Sequence, residues 1–173
     1  MRGGRLAGRS ALKQINAPSD FPILRGESGE PLWPIGFVGS ISHSGGIGVA
    51  CASRSESYLG LGIDLENYEK KRQPGIFKKI ATERELSWIQ EEKTEIQKRG
   101  VLIFSIKESI YKAVYQAFKI RLTYMDAEVF PHLEKGEATV EILKDNFTKA
   151  KITAGFSFSG GYVISGVGVQ SAK

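Results

Sequence analysis

One helical stripe limits what this chain can fold into. Across residues 101–118, Leu102, Ile106, Ile110, Ala113, Val114 and Ala117 recur at three- and four-residue spacing and share one face. Phe104, Glu108 and Lys112 form a neighbouring stripe. The last third of the chain alternates apolar and polar residues instead. It reads as strands over 137–143, 149–158 and 162–169, with Ser159-Gly160-Gly161 as a hairpin turn. Such a helix beside alternating strands implies an α+β fold with mainly antiparallel pairing.

The rest of the chain is shorter-ranged. Residues 6–15 read as a helix on which Arg5, Arg9 and Lys13 make one basic stripe. Residues 16–36, with Pro18, Gly26, Gly29, Pro31 and Pro34, read as loop. Residues 36–44 mix apolar residues with glycine. Strands are expected over 47–52 and 58–65, separated by a polar turn at 53–57. Gln73-Pro74-Gly75 marks a break before a short helix at 76–80. Thr82 with Glu85 has the form of a capping box, opening a helix to about residue 98 that Gly100 ends.

With 173 residues, 41% hydrophobic, the chain can form one domain or two small lobes. No apolar run is long enough to span a bilayer, and the N-terminus lacks a signal-type apolar run, so a cytoplasmic location is expected. A single cysteine excludes an intrachain disulfide, and Cys51, in an apolar run, reads as a packed thiol. The net charge of +5 suits an anionic partner. Basic clusters such as Lys70-Lys71-Arg72 alternate with acidic ones such as Glu91-Glu92, which argues against nucleic acid. Phosphate-loop, dinucleotide-loop and zinc spacings are absent.

Two segments carry chemistry. In Gly62-Ile63-Asp64-Leu65-Glu66 two acids at i and i+2 of a strand point to one face. In the 104–112 helix Glu108 and Lys112 lie at i and i+4. Three carboxylates and a lysine suit a magnesium–pyrophosphate site, with hard oxygen ligands for the metal and an ammonium for the phosphates. Taken singly, the first pair reads as solvated acids at a strand end and the second as a surface ion pair. Ser40-Ile41-Ser42-His43-Ser44-Gly45-Gly46 can grip a phosphate or form a turn with a solvated histidine. His132 has no such company and reads as structural.

In these residues the chain resembles the 4′-phosphopantetheinyl transferases, in particular the two-lobed surfactin-type and enterobactin synthase component D branch. Residues 62–66 resemble the family's G-(I/V)-D-(I/V/L)-E, and residues 104–113 its (W/F)-(S/T)-x-K-E-(S/A)-x-x-K-A. Pro31-Leu32-Trp33-Pro34 followed by Gly39-Ser40-Ile41-Ser42-His43-Ser44 resembles a further block, and Gly4-Arg5 through Leu12 resembles its Gly-Arg helix. The resemblance implies two pseudo-symmetric α+β lobes, here 1–58 and 59–173, the first shortened at its N-terminus, in a protein expected to be a monomer.

It also implies a reaction: transfer of the phosphopantetheine arm of coenzyme A to a serine of an apo acyl or peptidyl carrier protein, with Mg²⁺, releasing adenosine 3′,5′-bisphosphate. Asp64, Glu66 and Glu108 match the metal ligands, and Lys112 a phosphate contact. Ser42, His43, Arg5 and Arg9 match contacts to the nucleotide end, while Glu85 and Glu108 compete as the base for the serine hydroxyl. The chain departs from the surfactin-type pattern at Gly29-Glu30-Pro31, where that enzyme has a lysine. The alternatives are the short trimeric holo-carrier-protein synthase branch and a truncated, non-catalytic module binding coenzyme A or a carrier protein.

Overall fold

The stripe on the long helix does what its spacing implies: it covers a sheet. The computed structural model describes residues 2–18, 20, 22–73, 75–145, 147 and 150–172. The first part contains α1 (Arg2–Gln14), β1 (Leu24–Arg25), β2 (Pro31–Leu32), β3 (Phe37–Ser44) and β4 (Ile47–Arg54). The remainder contains β5 (Gly60–Asn67), α2 (Phe77–Ile80), α3 (Glu83–Gln90), α4 (Ile96–Phe118), β6 (Ala127–His132), β7 (Glu137–Ile142), β8 (Ala150–Ser159) and β9 (Tyr162–Ser171). The strands β5-β9-β8-β7-β6 form one antiparallel sheet in that order. Ile106, Ile110, Ala113 and Val114 of α4 are fully buried against Val163, Val167 and Val169 of β9 and Ala127 and Val129 of β6. The fold is mixed α+β.

A second, smaller apolar cluster holds Leu12, Ala17 and Ile23, with Trp33, Phe37, Ile41 and Ala52 packed on it. The two clusters lie on opposite sides of residue 58. In the first part of the chain, α1 lies on the β3–β4 hairpin through its own small-residue stripe. A Cβ on Gly4 would stand 2.7 Å from the Ile41 side chain, and one on Gly8 would stand 2.7 Å from Ile23.

Several elements differ from the sequence reading. β3 is a full strand paired with β4 from Phe37↔Arg54 to Ser44↔Ile47, closed by Gly45 and Gly46 at φ 57° and 84°. β4 and β5, on either side of the polar turn, are therefore not partners. β6 was hidden by Pro131; it is the sheet's edge strand, where the missing N–H costs no ladder bond. α3 stops at Gln90, and α4 begins at Ile96 and runs straight through Gly100. A Cβ on Gly100 would lie 2.5 Å from the Phe77 ring, so this glycine permits close packing instead of ending a helix. Pro74 of the expected break and Lys149 of the expected strand fall outside the described residues. Among the described residues no helix is long and apolar enough to cross a membrane.

Between the two parts runs a seam. β3 and β5 lie side by side without a backbone ladder, because they belong to different sheets. Gln116 of α4 spans them: its Oε1 accepts from Leu61 N–H at 2.9 Å and its Nε2 donates to the Gly39 carbonyl at 3.0 Å. One side chain thus satisfies a backbone donor of β5 and a backbone acceptor of β3 that have no ladder partner across the seam.

Candidate active site

Two glycines bring the chemistry together. Gly60, Gly62, Asp64 and Glu66 alternate onto the face of β5 that α4 covers. A Cβ on Gly60 would meet the Ala113 carbonyl oxygen at 2.1 Å, and one on Gly62 the Ser109 carbonyl oxygen at 1.8 Å. The helix backbone therefore rests directly on the strand. Ser165, opposite Asp64 in the ladder, shares 2.8 Å hydrogen bonds with the hydroxyls of Ser105 and Ser109 and fastens the helix from the next strand. Just past the glycines, Asp64 and Glu66 emerge beside the helix, and Glu66 lies within electrostatic reach of both Asp64 and Glu108.

Asp64 is only 4% exposed. Its Oδ1 accepts from Lys112 Nζ at 2.8 Å and from Ser42 Oγ at 2.9 Å. Lys112 also donates to the Ile63 carbonyl at 2.9 Å, so it pairs across to β5 and not with Glu108 on its own helix. Glu66 is paired with Arg72. Burial pushes the Glu66 carboxyl above the ordinary glutamate range; the Arg72 hydrogen bond opposes this, and the charges of Asp64 and Glu108 add to it. Glu108 Oε1 accepts from the Tyr124 hydroxyl at 2.6 Å. Each carboxylate thus has an internal partner.

As they stand, no three His, Cys, Asp or Glu side chains among the described residues form a group that would hold a metal ion. The donor chemistry nevertheless fits one. Asp64 Oδ2 is buried with no hydrogen-bond partner, an acceptor left open at considerable cost. The repulsion that Asp64 and Glu108 exert on Glu66 is what a hard cation relieves.

Ser42 and His43 are separated by the strand they share. Ser42 faces the seam and reaches Asp64. His43 is exposed on the other face, where its cross-strand partner Gly48 lies against the backbone of Gly3 and Gly4. On α1, Arg5 is half-buried and Arg9 exposed. His43 and these arginines therefore belong to the α1 side of the hairpin, and Ser42 to the carboxylate side. His132, read as structural, is 2.9 Å from Thr139 Oγ1 on the neighbouring strand.

Glu85, the other candidate base, is enclosed. It is 1% exposed, with Oε2 accepting from Thr82 N–H at 2.7 Å and Oε1 from Val129 N–H at 2.8 Å. It also pairs with Lys107 at 2.6 Å, both side chains fully shielded. Its oxygens are committed inside the protein, away from any incoming hydroxyl. The capping box with Thr82 is present as read. Sequence reasoning missed Arg72, Tyr124 and Gln116 as members of the site. None lies in a quoted motif, and each reaches it only through the tertiary fold.

Beside Lys112, a cavity of about 640 Å³ opens between the 28–41 segment and the C-terminal half of α4. Three buried polar atoms without partners belong to its lining residues: Trp33 Nε1, the Tyr111 hydroxyl and Glu30 Oε2.

The family described as 4′-phosphopantetheinyl transferase superfamily matches residues 60–165, and 4′-phosphopantetheinyl transferase N-terminal domain matches residues 2–53. The chain is 31% identical over 143 residues to 4′-phosphopantetheinyl transferase Svp of Streptomyces mobaraensis, covering 80% of this chain and 56% of that protein. It is 32% identical over 125 residues to 4′-phosphopantetheinyl transferase PptT of Mycobacterium tuberculosis, covering 72% and 54%. Enterobactin synthase component D of Salmonella typhi is 32% identical over 64% of this chain and 45% of its own. The chain thus spans about half the length of the curated relatives it matches. Among solved structures, Thermotoga maritima holo-[acyl-carrier-protein] synthase shares the fold at TM-score 0.53 and 20% identity, covering 67% of this chain and 66% of that one. The ACPS–CoA complex of Chronobacterium ammoniagenes shares it at 0.52 and 16%, covering 65% and 97%. With its carboxylate strand and its Lys-Glu helix inside the matched region, the chain belongs to the 4′-phosphopantetheinyl transferase superfamily.

Proposed function

We propose that this chain transfers the 4′-phosphopantetheine arm of coenzyme A to a serine of an apo acyl or peptidyl carrier protein, with Mg²⁺, releasing adenosine 3′,5′-bisphosphate. The observation that carries the reading is Asp64: a buried acid with one oxygen held by Lys112 and Ser42 and the other open, within electrostatic reach of Glu66. Membership of the superfamily supports it.

In this reading Asp64, Glu66 and Glu108 would hold the metal. When bound, it offsets charge on the pyrophosphate oxygens as the phosphorus–oxygen bond to the leaving nucleotide breaks. Lys112, fixed by Asp64 and the Ile63 carbonyl, presents its ammonium to the same phosphates. The carrier serine oxygen forms the new bond to phosphorus, and its proton passes to a carboxylate. With Glu85 enclosed, Glu108 is the candidate base: Tyr124 fixes one of its oxygens and leaves the other free of the tyrosine. His43, Arg5 and Arg9, on the α1 side of the hairpin, are assigned to the nucleotide's phosphates.

Ser42 and Asp64 meet across the seam within a single chain, which supports a monomer carrying a whole site. The net charge of +5 favours encounter with an acidic carrier, in a cytoplasmic setting where coenzyme A is present. Incubation with coenzyme A, Mg²⁺ and a panel of apo carriers should add the mass of one phosphopantetheine to the carrier serine. Absence of that gain with every carrier would sink the reading.

A further inference from the structure

Arg72 sits where the catalytic reading has no role for it. Its guanidinium pairs with Glu66 and lies 5.7 Å from the centroid of the Phe104 ring. Phe104 in turn packs at 6.0 Å on Tyr124, the residue that holds Glu108. The loop carrying Arg72 is anchored from the first turns of α4. Gln97 Nε2 donates to the Lys70 carbonyl at 2.7 Å, and Gln97 Oε1 accepts from Arg72 N–H at 3.4 Å. The arginine is therefore built into the wall of the carboxylate cluster from three sides: backbone, ring stack and ion pair.

Charge decides what such a residue does. Without a ligand, Asp64 pairs with Lys112 and Glu66 with Arg72, while Glu108 is held by the Tyr124 hydroxyl. A divalent cation bound to these acids would compete with Arg72 for Glu66. The two negative charges of the coenzyme A pyrophosphate then add to those of the acids that already share the cation, so further positive charge is needed. A guanidinium released from Glu66 but still held on Phe104 has its fork of N–H donors free for a phosphate, the geometry that arginine matches best.

We propose that Arg72 is a further phosphate-contacting residue of this site. It neutralises Glu66 in the empty protein, yields that carboxylate to the divalent cation, and transfers its hydrogen bonds to the pyrophosphate of the incoming cosubstrate. This rests on the coenzyme A reading above but does not need turnover to be tested. Arg72 is about a quarter exposed, so its replacement leaves the core intact.

The test is binding to the full chain and to Arg72→Ala, with Mn²⁺ as the paramagnetic probe and no carrier protein. Without coenzyme A, Arg72→Ala should bind Mn²⁺ about two- to fivefold more tightly, the scale of one partly exposed ion pair removed. With saturating Mn²⁺, the same variant should bind coenzyme A roughly tenfold more weakly, the scale of removing one charge-assisted hydrogen bond. Arg72→Lys, which keeps the charge without the fork, should fall between the two proteins. A loop-bracing role alone would weaken or leave unchanged the Mn²⁺ affinity, and either result overturns the proposal, as does unchanged coenzyme A binding. Both differences between variant and wild type, with a wild-type chain that modifies no carrier, would overturn the transfer reading alone. One that binds no coenzyme A overturns both.

Discussion

Lys107 has no contact with solvent and satisfies its ammonium on Glu85, the Ile80 carbonyl at 2.9 Å and the Tyr124 carbonyl at 2.6 Å. Burial pulls the lysine's pKa down and pushes the Glu85 carboxyl up, and their mutual attraction opposes both. Removing one partner strands the other. Lys107→Met should cost about 3–5 kcal/mol in urea unfolding, and Lys107→Met with Glu85→Gln should recover much of it. This would mark Glu85 as structural. The Thr82–Glu85 capping box was legible from spacing, because its partners are three residues apart. The tie to Lys107 was not, since only the fold brings these residues together. Cys51 is a second single-residue test. Burial pushes its thiol up to about 11, against the smaller pull of a Ser40 backbone hydrogen bond and the Lys112 charge. A raised thiol pKa means less thiolate at neutral pH. Alkylation of the native protein should therefore be slow at pH 8 and keep rising towards about 11, whereas the unfolded chain should titrate near about 8.5. A native profile that levels off where the unfolded chain does would contradict the burial.

At the scale of elements, the contact of α4 with β5 sets the site. It depends on the absence of side chains at Gly60 and Gly62. Gly62→Ala places a Cβ on the Ser109 carbonyl and forces helix and strand apart. Its expected cost is about 1–3 kcal/mol or more, read as a lower urea midpoint with an unchanged slope. A neutral result would mean that α4 does not lie where it is described. The helix was readable because a long amphipathic stripe is a strong signal, and Asp64, Glu66, Glu108 and Lys112 were placed by periodicity alone. β3 and β6 were not, for two physical reasons. β3 carries Gly39 and polar Ser40, Ser42 and His43 because only Phe37 and Ile41 meet the smaller apolar cluster, while Ser42 faces the seam and His43 is exposed. β6 carries a proline that only an edge position tolerates. Gly100 misled in the same way, since a packing glycine and a helix stop look identical in sequence.

At the scale of the molecule, the site lies on a seam between two apolar clusters. Gln116 and the Ser42–Asp64 bond stitch β3 to β5 there, and Glu66 feels the charges of both Asp64 and Glu108. Spacing was enough to put Asp64 and Glu66 on one strand and Glu108 on the long helix. It could not foretell that Ser42 and His43 would face opposite ways, because that follows from strand alternation in a strand the sequence reading had not assigned. The central claim is that Asp64 anchors the pyrophosphate chemistry. Its removal should leave the fold standing, since Lys112 is about a third exposed and can be hydrated, and repulsion among the acids falls. The decisive measurement is single-turnover transfer of phosphopantetheine to an apo carrier by wild type and Asp64→Ala, with thermal unfolding of both. A loss of ~100-fold or more in rate with a near-wild-type melt is the expected result, the scale of removing a group that stabilises transition-state charge. Undiminished transfer by the folded variant would contradict the account.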